Sequence, residues 1–316
     1  MNPIKIVGVG SIFIDDIVYP DGSTKMAVLG GGVLHALMGA KAWQEPIGII
    51  GCIGYDAPPS AFEFLEKNFD TQGITPLQQK QARVWQLFEE DGRRTEVPRI
   101  ENIQAFVRGP LPGAMVAAYQ DVQAWYLLKN FDDMNAWMDI TTGLRLWEPL
   151  QQIMLAQNRD KMAAVLRNNS IDIISPNLLE SQQIYGLTTP RELISAYWQD
   201  GAQILALRMG EQGSIIAVKA TQKIWHIPAC DNITVIDPTG AGNTYCGAFL
   251  ANLLDHTPAA NSSTFTDETL LTAACNATAT AALCVTQPGI LSVDNIDPNY
   301  LYQLSHSLKN RIQQLS

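Results

Sequence analysis

Asp237-Pro238-Thr239-Gly240-Ala241-Gly242-Asn243 stands between an apolar, strand-like run and a helical segment that continues as Thr244-Tyr245-Cys246-Gly247-Ala248-Phe249-Leu250. Gly240, Ala241 and Gly242 make a turn without bulk. Consecutive backbone N–H groups can therefore converge on an anion at the N-terminus of the helix that follows. This is a phosphate-handling device, and its last position is an amide, Asn243.

Outward from this turn, apolar runs of strand length alternate with helix-period segments, which predicts an α/β fold with a largely parallel sheet. Ile4 to Gly10 reads as the first strand, Val33 to Trp43 as a helix behind three glycines, and Pro46 to Ile53 as a second core strand. Ser170 to Ser175, Gln203 to Arg208 and Ser214 to Val218 supply further strands. Pro190 opens a helix that Gly201 closes. Ile17 to Leu29 and Arg83 to Pro98 break the alternation and read as β-ribbons, with turns at Asp21-Gly22 and Asp91-Gly92. The expected architecture is one domain over 1–316, with a small β lid built from segments of about 15–30 and 81–99.

At 316 residues, 47% hydrophobic and 16% charged, the chain can bury a large core and is too apolar to be disordered. A formal charge of −10 argues against nucleic acid or an anionic membrane as a general partner. Five scattered cysteines without a Cys-x-x-Cys pair predict reduced thiols, and the four histidines lack metal-ligand spacing. Neither a signal peptide nor a membrane-spanning run is legible, so the expected location is cytoplasmic.

Several constellations lie where an α/β sheet presents its ligands, beyond the carboxyl ends of strands. Gly30-Gly31-Gly32 leads into the helix that carries His35. Val7-Gly8-Val9-Gly10 lacks the third glycine and the helix of a dinucleotide fingerprint. Asp15 and Asp16 are adjacent on a strand and point to opposite faces, so either one meets the ligand and the other solvent, or both form a solvated pair at a strand end. Asn177 and Glu180 can orient water around Mg²⁺ beside phosphates, or can equally cap a helix. Arg208 to Ser214 reads as a tight connection between two strands.

In this order the segments resemble the PfkB (ribokinase-like) carbohydrate and nucleoside kinases over nearly the whole chain. The resemblance implies a three-layer α/β/α sandwich with a β lid, and ATP, Mg²⁺ and K⁺ as cofactors. Asp237 to Asn243 is similar to the family's Asp-x-Thr-Gly-Ala-Gly-Asp, whose final Asp takes the proton of the substrate hydroxyl. Gly240, Ala241, Gly242 and Asn243 would then form the catalytic turn. Asp15, Gly31, Gly32 and His35 would hold the acceptor. Asn177, Arg208, Gly210, Gly213, Asn276 and Gly289 would line the nucleotide. Glu180 would act on Mg²⁺ through water, and Asp237 would serve a monovalent cation. Trp147-Glu148-Pro149, with Asp15-Asp16-Ile17, Ser175-Pro176-Asn177 and Gly242-Asn243, is similar to a branch that includes fungal maintenance-of-killer proteins.

An amide in place of the catalytic carboxylate cannot take a proton near neutral pH. Loss of a general base typically costs about 10²–10⁴ in rate, yet positioning and electrostatics supply most of the acceleration in phosphoryl transfer. Two readings follow. One is a slow ATP-dependent kinase acting on a hydroxymethyl group of a sugar or nucleoside. The other is an inactive relative that keeps the pocket for binding. His35 is expected to contact substrate or fill space rather than act as base, and the lid edges are expected to pair two copies in a homodimer. Trp85 and Phe88 are the lid residues expected to shape the acceptor pocket.

Overall fold

The computed structural model describes residues 3–44, 46–90, 94–99, 103–109, 119–254 and 265–315. The chain enters through β1 (Ile6–Val9), four buried residues whose side chains alternate between two cores. It then leaves the main sheet for β2 (Phe13–Val18) and β3 (Thr24–Gly30) and returns through α1 (Gly32–Lys41) and β4 (Ile47–Gly54). After α2 (Pro59–Asn68) and β5 (Asp70–Leu77), β6 (Arg83–Phe88) and β7 (Arg94–Pro98) form a second excursion. The short α3 (Gln104–Arg108) follows.

From β8 (Ala124–Lys129) onward the alternation is regular: α4 (Phe131–Ile140), β9 (Leu144–Pro149), α5 (Arg159–Asn168), β10 (Ile173–Ile174), α6 (Leu178–Tyr185), α7 (Pro190–Asp200) and β11 (Ile204–Arg208). Helix boundaries follow local chemistry. The side chain of Asn130 caps α4, and capping boxes start α6 at Asn177/Glu180 and α7 at Thr189/Glu192. Pro190 occupies the first turn of α7 and Gly201 ends it in the left-handed region. An antiparallel run of β12 (Ser214–Val218) and β13 (Lys223–Ile227) precedes α8 (Ala241–Leu254), α9 (Asp267–Cys284), α10 (Pro298–Lys309) and the edge strand β14 (Gln313–Leu315).

The main sheet runs β14-β13-β12-β11-β10-β9-β8-β1-β4-β5, parallel from β11 to β5 and antiparallel beyond β11. Ile6, Ile47, Tyr126, Leu146 and Ala206 face the core shared with α1, α8 and α9. Val7, Ile50, Leu127, Trp147 and Leu207 face the opposite core, beneath α4, α5, α6 and α7. Strands buried on both faces read as continuous apolar runs, which made β1, β4 and β11 legible, whereas β8 and β9 were not among the predicted strands. One of the predicted strands was trimmed by its neighbours. Ser170 to Ser175 contracts to Ile173–Ile174 because the Asp172 side chain takes the Arg145 N–H and Pro176 has no N–H to offer.

The two ribbons form a separate four-stranded sheet, β3-β2-β6-β7, joined by parallel pairing of β2 with β6. The Asp21-Gly22 turn is present, with Gly22 at positive φ, while Asp91-Gly92 lies outside the described residues. Between the layers, α1 and α8 come into backbone contact. A Cβ on Gly39 would overlap the Thr244 carbonyl, and one on Gly247 would overlap the Ala36 carbonyl. Those two glycines place the N-termini of α1 and α8 side by side, so two distant glycine motifs meet at the carboxyl end of the sheet. Among the described residues no helix is long and apolar enough to cross a membrane, and all five cysteines are free thiols.

Candidate active site

The Gly240 turn is held open by its neighbours. Gly240 adopts φ +74°, and a Cβ there would overlap the His35 imidazole, which is buried against it. A Cβ on Gly242 would overlap the Arg208 guanidinium. Gly31 lies at φ +114°, where a side chain would also strike the Ser11 carbonyl. A Cβ on Gly32 would meet Leu128 at 2.7 Å and Asn243 Nδ2 at 2.9 Å, and one on Gly30 would overlap the Asp15 carboxylate. The structure thus brings Asp15, Gly30 to Gly32, His35, Gly240 to Asn243 and Arg208 into one contiguous site.

At the head of α8, Ala241 N–H bonds the Pro238 carbonyl and Thr244 N–H bonds that of Gly240. The N–H groups of Gly240, Gly242 and Asn243 meet no acceptor among the described residues. Three unengaged donors on a 14-residue helix, next to a guanidinium, are chemically matched to a phosphate.

Beneath the turn lies a polar cluster that sequence reading did not assemble. Glu148, at the end of β9, is only 4% exposed. Its Oε2 accepts from Tyr126 Oη at 2.7 Å, and its Oε1 receives Asn243 Nδ2 at 3.0 Å and Arg208 Nη2 at 2.8 Å. Arg208 also donates to the Ser175 carbonyl at 2.8 Å. Burial pulls the Arg208 pKa down, but Glu148, Cys246, Glu180 and Tyr126 together hold the guanidinium above its ordinary value. Burial, with Glu148 beside it, pushes the Tyr126 hydroxyl well up, so it stays protonated and donating. The glutamate was visible in Trp147-Glu148-Pro149; its partners come from β8, β11 and α8, and no local pattern connects them.

The lid corrects two expectations. Asp15 and Asp16 do point to opposite faces, but both are buried. Asp15 Oδ1 accepts from Gln86 Nε2 at 3.1 Å, on the face toward the glycines of α1. Asp16, instead of meeting solvent, binds Arg83 through Nε at 3.0 Å and Nη2 at 2.5 Å, takes Arg99 as well, and accepts the Ala27 N–H at 2.9 Å. Burial would raise Asp16, yet Arg83, the Ala27 amide and Arg99 together hold its pKa at about 2. Trp85 sits on the Asp16 face beneath Arg99, 4.6 Å from the ring centroid. Gln86, which pattern reading passed over, is the buried polar residue on the Asp15 side.

The remaining predicted residues divide. Asn177 and Glu180 form the helix-capping alternative: Asn177 Oδ1 accepts the Glu180 N–H at 2.8 Å and Glu180 Oε2 accepts the Asn177 N–H at 2.9 Å. Burial raises the Glu180 pKa, with Arg208 opposing. Asp237 uses one oxygen for the Thr239 N–H and the other for Gly289 N–H, both at 2.9 Å, and so ties the Gly240 turn to the Gly289 loop. Gly210 and Gly213 bound the loop between β11 and β12, both at positive φ. Beside it is an open concavity of about 470 Å³ that includes Met209, His226, Ala229 and Arg311; Asn243, Glu148 and Asp15 do not line it. Asn276, expected to line the nucleotide, uses its amide to bond Asn252 on α8 and Ser305 on α10, packing the helix layer. No group of three or more metal-ligating side chains occurs among the described residues.

Residues 150–295 match the sequence model of the pfkB family of carbohydrate kinases. A fructokinase from Xylella fastidiosa with bound ATP superposes with a TM-score of 0.78 at 16% identity, over 96% of this chain and 99% of that one. A protein from E. coli assigned as ribokinase II, in complex with ATP and Mg²⁺, gives 0.74 at 18% identity over 98% and 99%. The fold of this chain is therefore ribokinase-like. The cytidine kinase of Thermococcus kodakarensis is 21% identical over 252 residues, covering 78% of this chain and 88% of that enzyme. Protein MAK32 of Saccharomyces cerevisiae is 29% identical over 126 residues, 34% of this chain and 35% of that one.

Proposed function

We propose that this PfkB-like protein transfers the γ-phosphoryl group of ATP to a hydroxymethyl group of a sugar or nucleoside. The observation that carries the reading is the head of α8, where three unengaged N–H donors and the Arg208 guanidinium converge, with Asn243 and Gly32 alongside. Phosphoryl donors and acceptors meet at such a place. The nucleoside kinase among the relatives and the ATP-bound sugar kinases among the folds support the same class.

Asp15 and Gln86 form the acceptor end of the site, against the backbone of Gly30. Asn243 Oδ1 accepts a hydrogen bond from the reacting hydroxyl and aims its oxygen at the γ-phosphorus. As that oxygen bonds to phosphorus, the bond to the β–γ bridging oxygen breaks and ADP departs. The hydroxyl proton passes through the phosphoryl oxygens to water, since no carboxylate at 243 receives it. The N–H groups of Gly240, Gly242 and Asn243 steady the charge on the transferring group. Mg²⁺ entering with the nucleotide would supply neutralisation of phosphate charge, and Glu180 is the residue that would act on it. The capped Glu180 can reach it only through water, and the reading needs no cation at Asp237.

The test is acceptor-dependent ADP release from ATP and Mg²⁺, measured against a panel of nucleosides, pentoses and hexoses. Release with one acceptor class supports the proposal. Calorimetric ATP binding without turnover would make the protein a binding module, and absence of both would sink the assignment of the site.

A further inference from the structure

Glu148 is a buried carboxylate that neither the turn nor the acceptor contacts explain. Its three neighbours reveal a constraint on Asn243. The carboxylate can only accept. Tyr126 Oη donates to it at 2.7 Å, so the lone pairs of that oxygen are what face Asn243 at 3.3 Å. Both atoms next to the amide are therefore acceptors, and Nδ2 must be the atom turned toward them. Oδ1, in the same plane, is left on the far side of the Cβ–Cγ axis from Nδ2 and so away from Glu148.

The same geometry excludes a second negative charge. An Asp at 243 would place a carboxylate oxygen about 3 Å from Glu148, where two carboxylates cannot both ionise. The charged and titratable groups around the pair are Arg208 from β11, Tyr126 from β8, Cys246 from α8 itself, Glu180 from α6 and His35 from α1. Arg208 is the cation in contact with Glu148, and it is already shared with the Ser175 carbonyl.

We propose that Glu148 is the positioning carboxylate of the transfer site: it locks Asn243 with Oδ1 toward the acceptor hydroxyl and keeps residue 243 uncharged. This rests on the kinase reading above. The carboxylate that touches residue 243 stands on β9 instead of on α8. Asn243 is then not a damaged base. Its amide is polarised by the charge behind it and is the partner that this strand residue requires.

The experiment compares wild type with Glu148→Gln, Asn243→Asp and the double exchange, reading turnover and, without any ligand, melting midpoint against pH. Glu148→Gln is expected to lower kcat about a hundredfold with KM for ATP much less changed, as for a misaimed reacting group. Asn243→Asp is expected to lose activity too. Its melting midpoint falls furthest below wild type near pH 8, and the gap narrows toward pH 5 as the carboxylate pair takes up a proton. The double exchange, again with one carboxylate, recovers to within about tenfold of wild type and loses the pH-dependent gap. Glu148 acting only as an anchor for folding predicts no such recovery. The Asn243 side-chain amide resonance gives a further readout: it is shifted in wild type by its carboxylate partner and returns to an ordinary position in Glu148→Gln. The proposal is overturned by wild-type kcat in Glu148→Gln, or by an Asn243→Asp variant that is more active than wild type with a pH-independent midpoint. If wild type phosphorylates nothing, the kinase reading fails on the first readout. The melting and resonance arms still decide whether Glu148 holds Asn243 and excludes a second charge.

Discussion

Glu148 under the α8 turn and Asp16 in the lid are both buried carboxylates that face arginine, and they are built for different ends. Asp16 is saturated by full charges, with Arg83 and Arg99 on its two oxygens and a backbone N–H besides. It rivets three of the four lid strands, β2, β3 and β6, to the segment after β7, and it offers nothing to a substrate. Glu148 has one arginine and fills its remaining capacity with neutral donors, Tyr126 and Asn243. One of those donors belongs to the phosphate turn. A carboxylate satisfied by cations is mechanical, whereas one satisfied partly by an amide can transmit orientation to the reacting group.

The comparison breaks most visibly at the arginines. Arg208→Met leaves Glu148 charged and buried without a cation, so we predict a loss of about 3–5 kcal/mol in global stability together with lost ATP affinity. Urea unfolding and calorimetry would measure both. A loss no larger than that of the lid variant would erase the distinction. Asp16→Asn is the lid counterpart. Arg83 and Arg99 are each about a third exposed on their side chains, so the expected cost is smaller, about 1–2 kcal/mol. It should raise the acceptor KM and leave ATP affinity unchanged.

Acid sharpens the same contrast. The folded pKa of Asp16, about 2, lies below its ordinary value of 3.8. Its contribution is therefore complete above roughly pH 4 and is lost as pH falls through about 2. Hydrogen exchange at about pH 3 should show β2 and β6 losing protection before β1 and β8, and uniform loss would contradict the rivet. The smallest effect is expected at Gln86. Gln86→Leu removes the amide on Asp15 and should raise the acceptor KM about three- to tenfold, with kcat for a saturating acceptor nearly unchanged. A fall in ATP affinity instead would place Gln86 on the wrong side of the site.

Much of this protein is determined locally and was legible without coordinates. The strands β1, β4 and β11 are buried on both faces, so their runs are largely apolar, and Thr189-Pro190 with Gly201 marks a helix by capping chemistry. The Gly240-Ala241-Gly242 turn was equally readable, because a residue without Cβ announces a close approach. Three things needed the tertiary structure. Asn276 could not be told from a ligand contact until α8 and α10 closed around it. Asp16 looked like a solvated neighbour of Asp15 until Arg83 and Arg99 arrived from 67 and 83 residues away. The meaning of Asn243 depended on Glu148, 95 residues earlier in the chain. Hydrogen bonds and charge pairs at such separations leave no periodicity in sequence, whereas burial and backbone geometry do. The chain itself determined where the glycine turn ahead of α8 forms. Only folding decided which residue carries the charge beneath it.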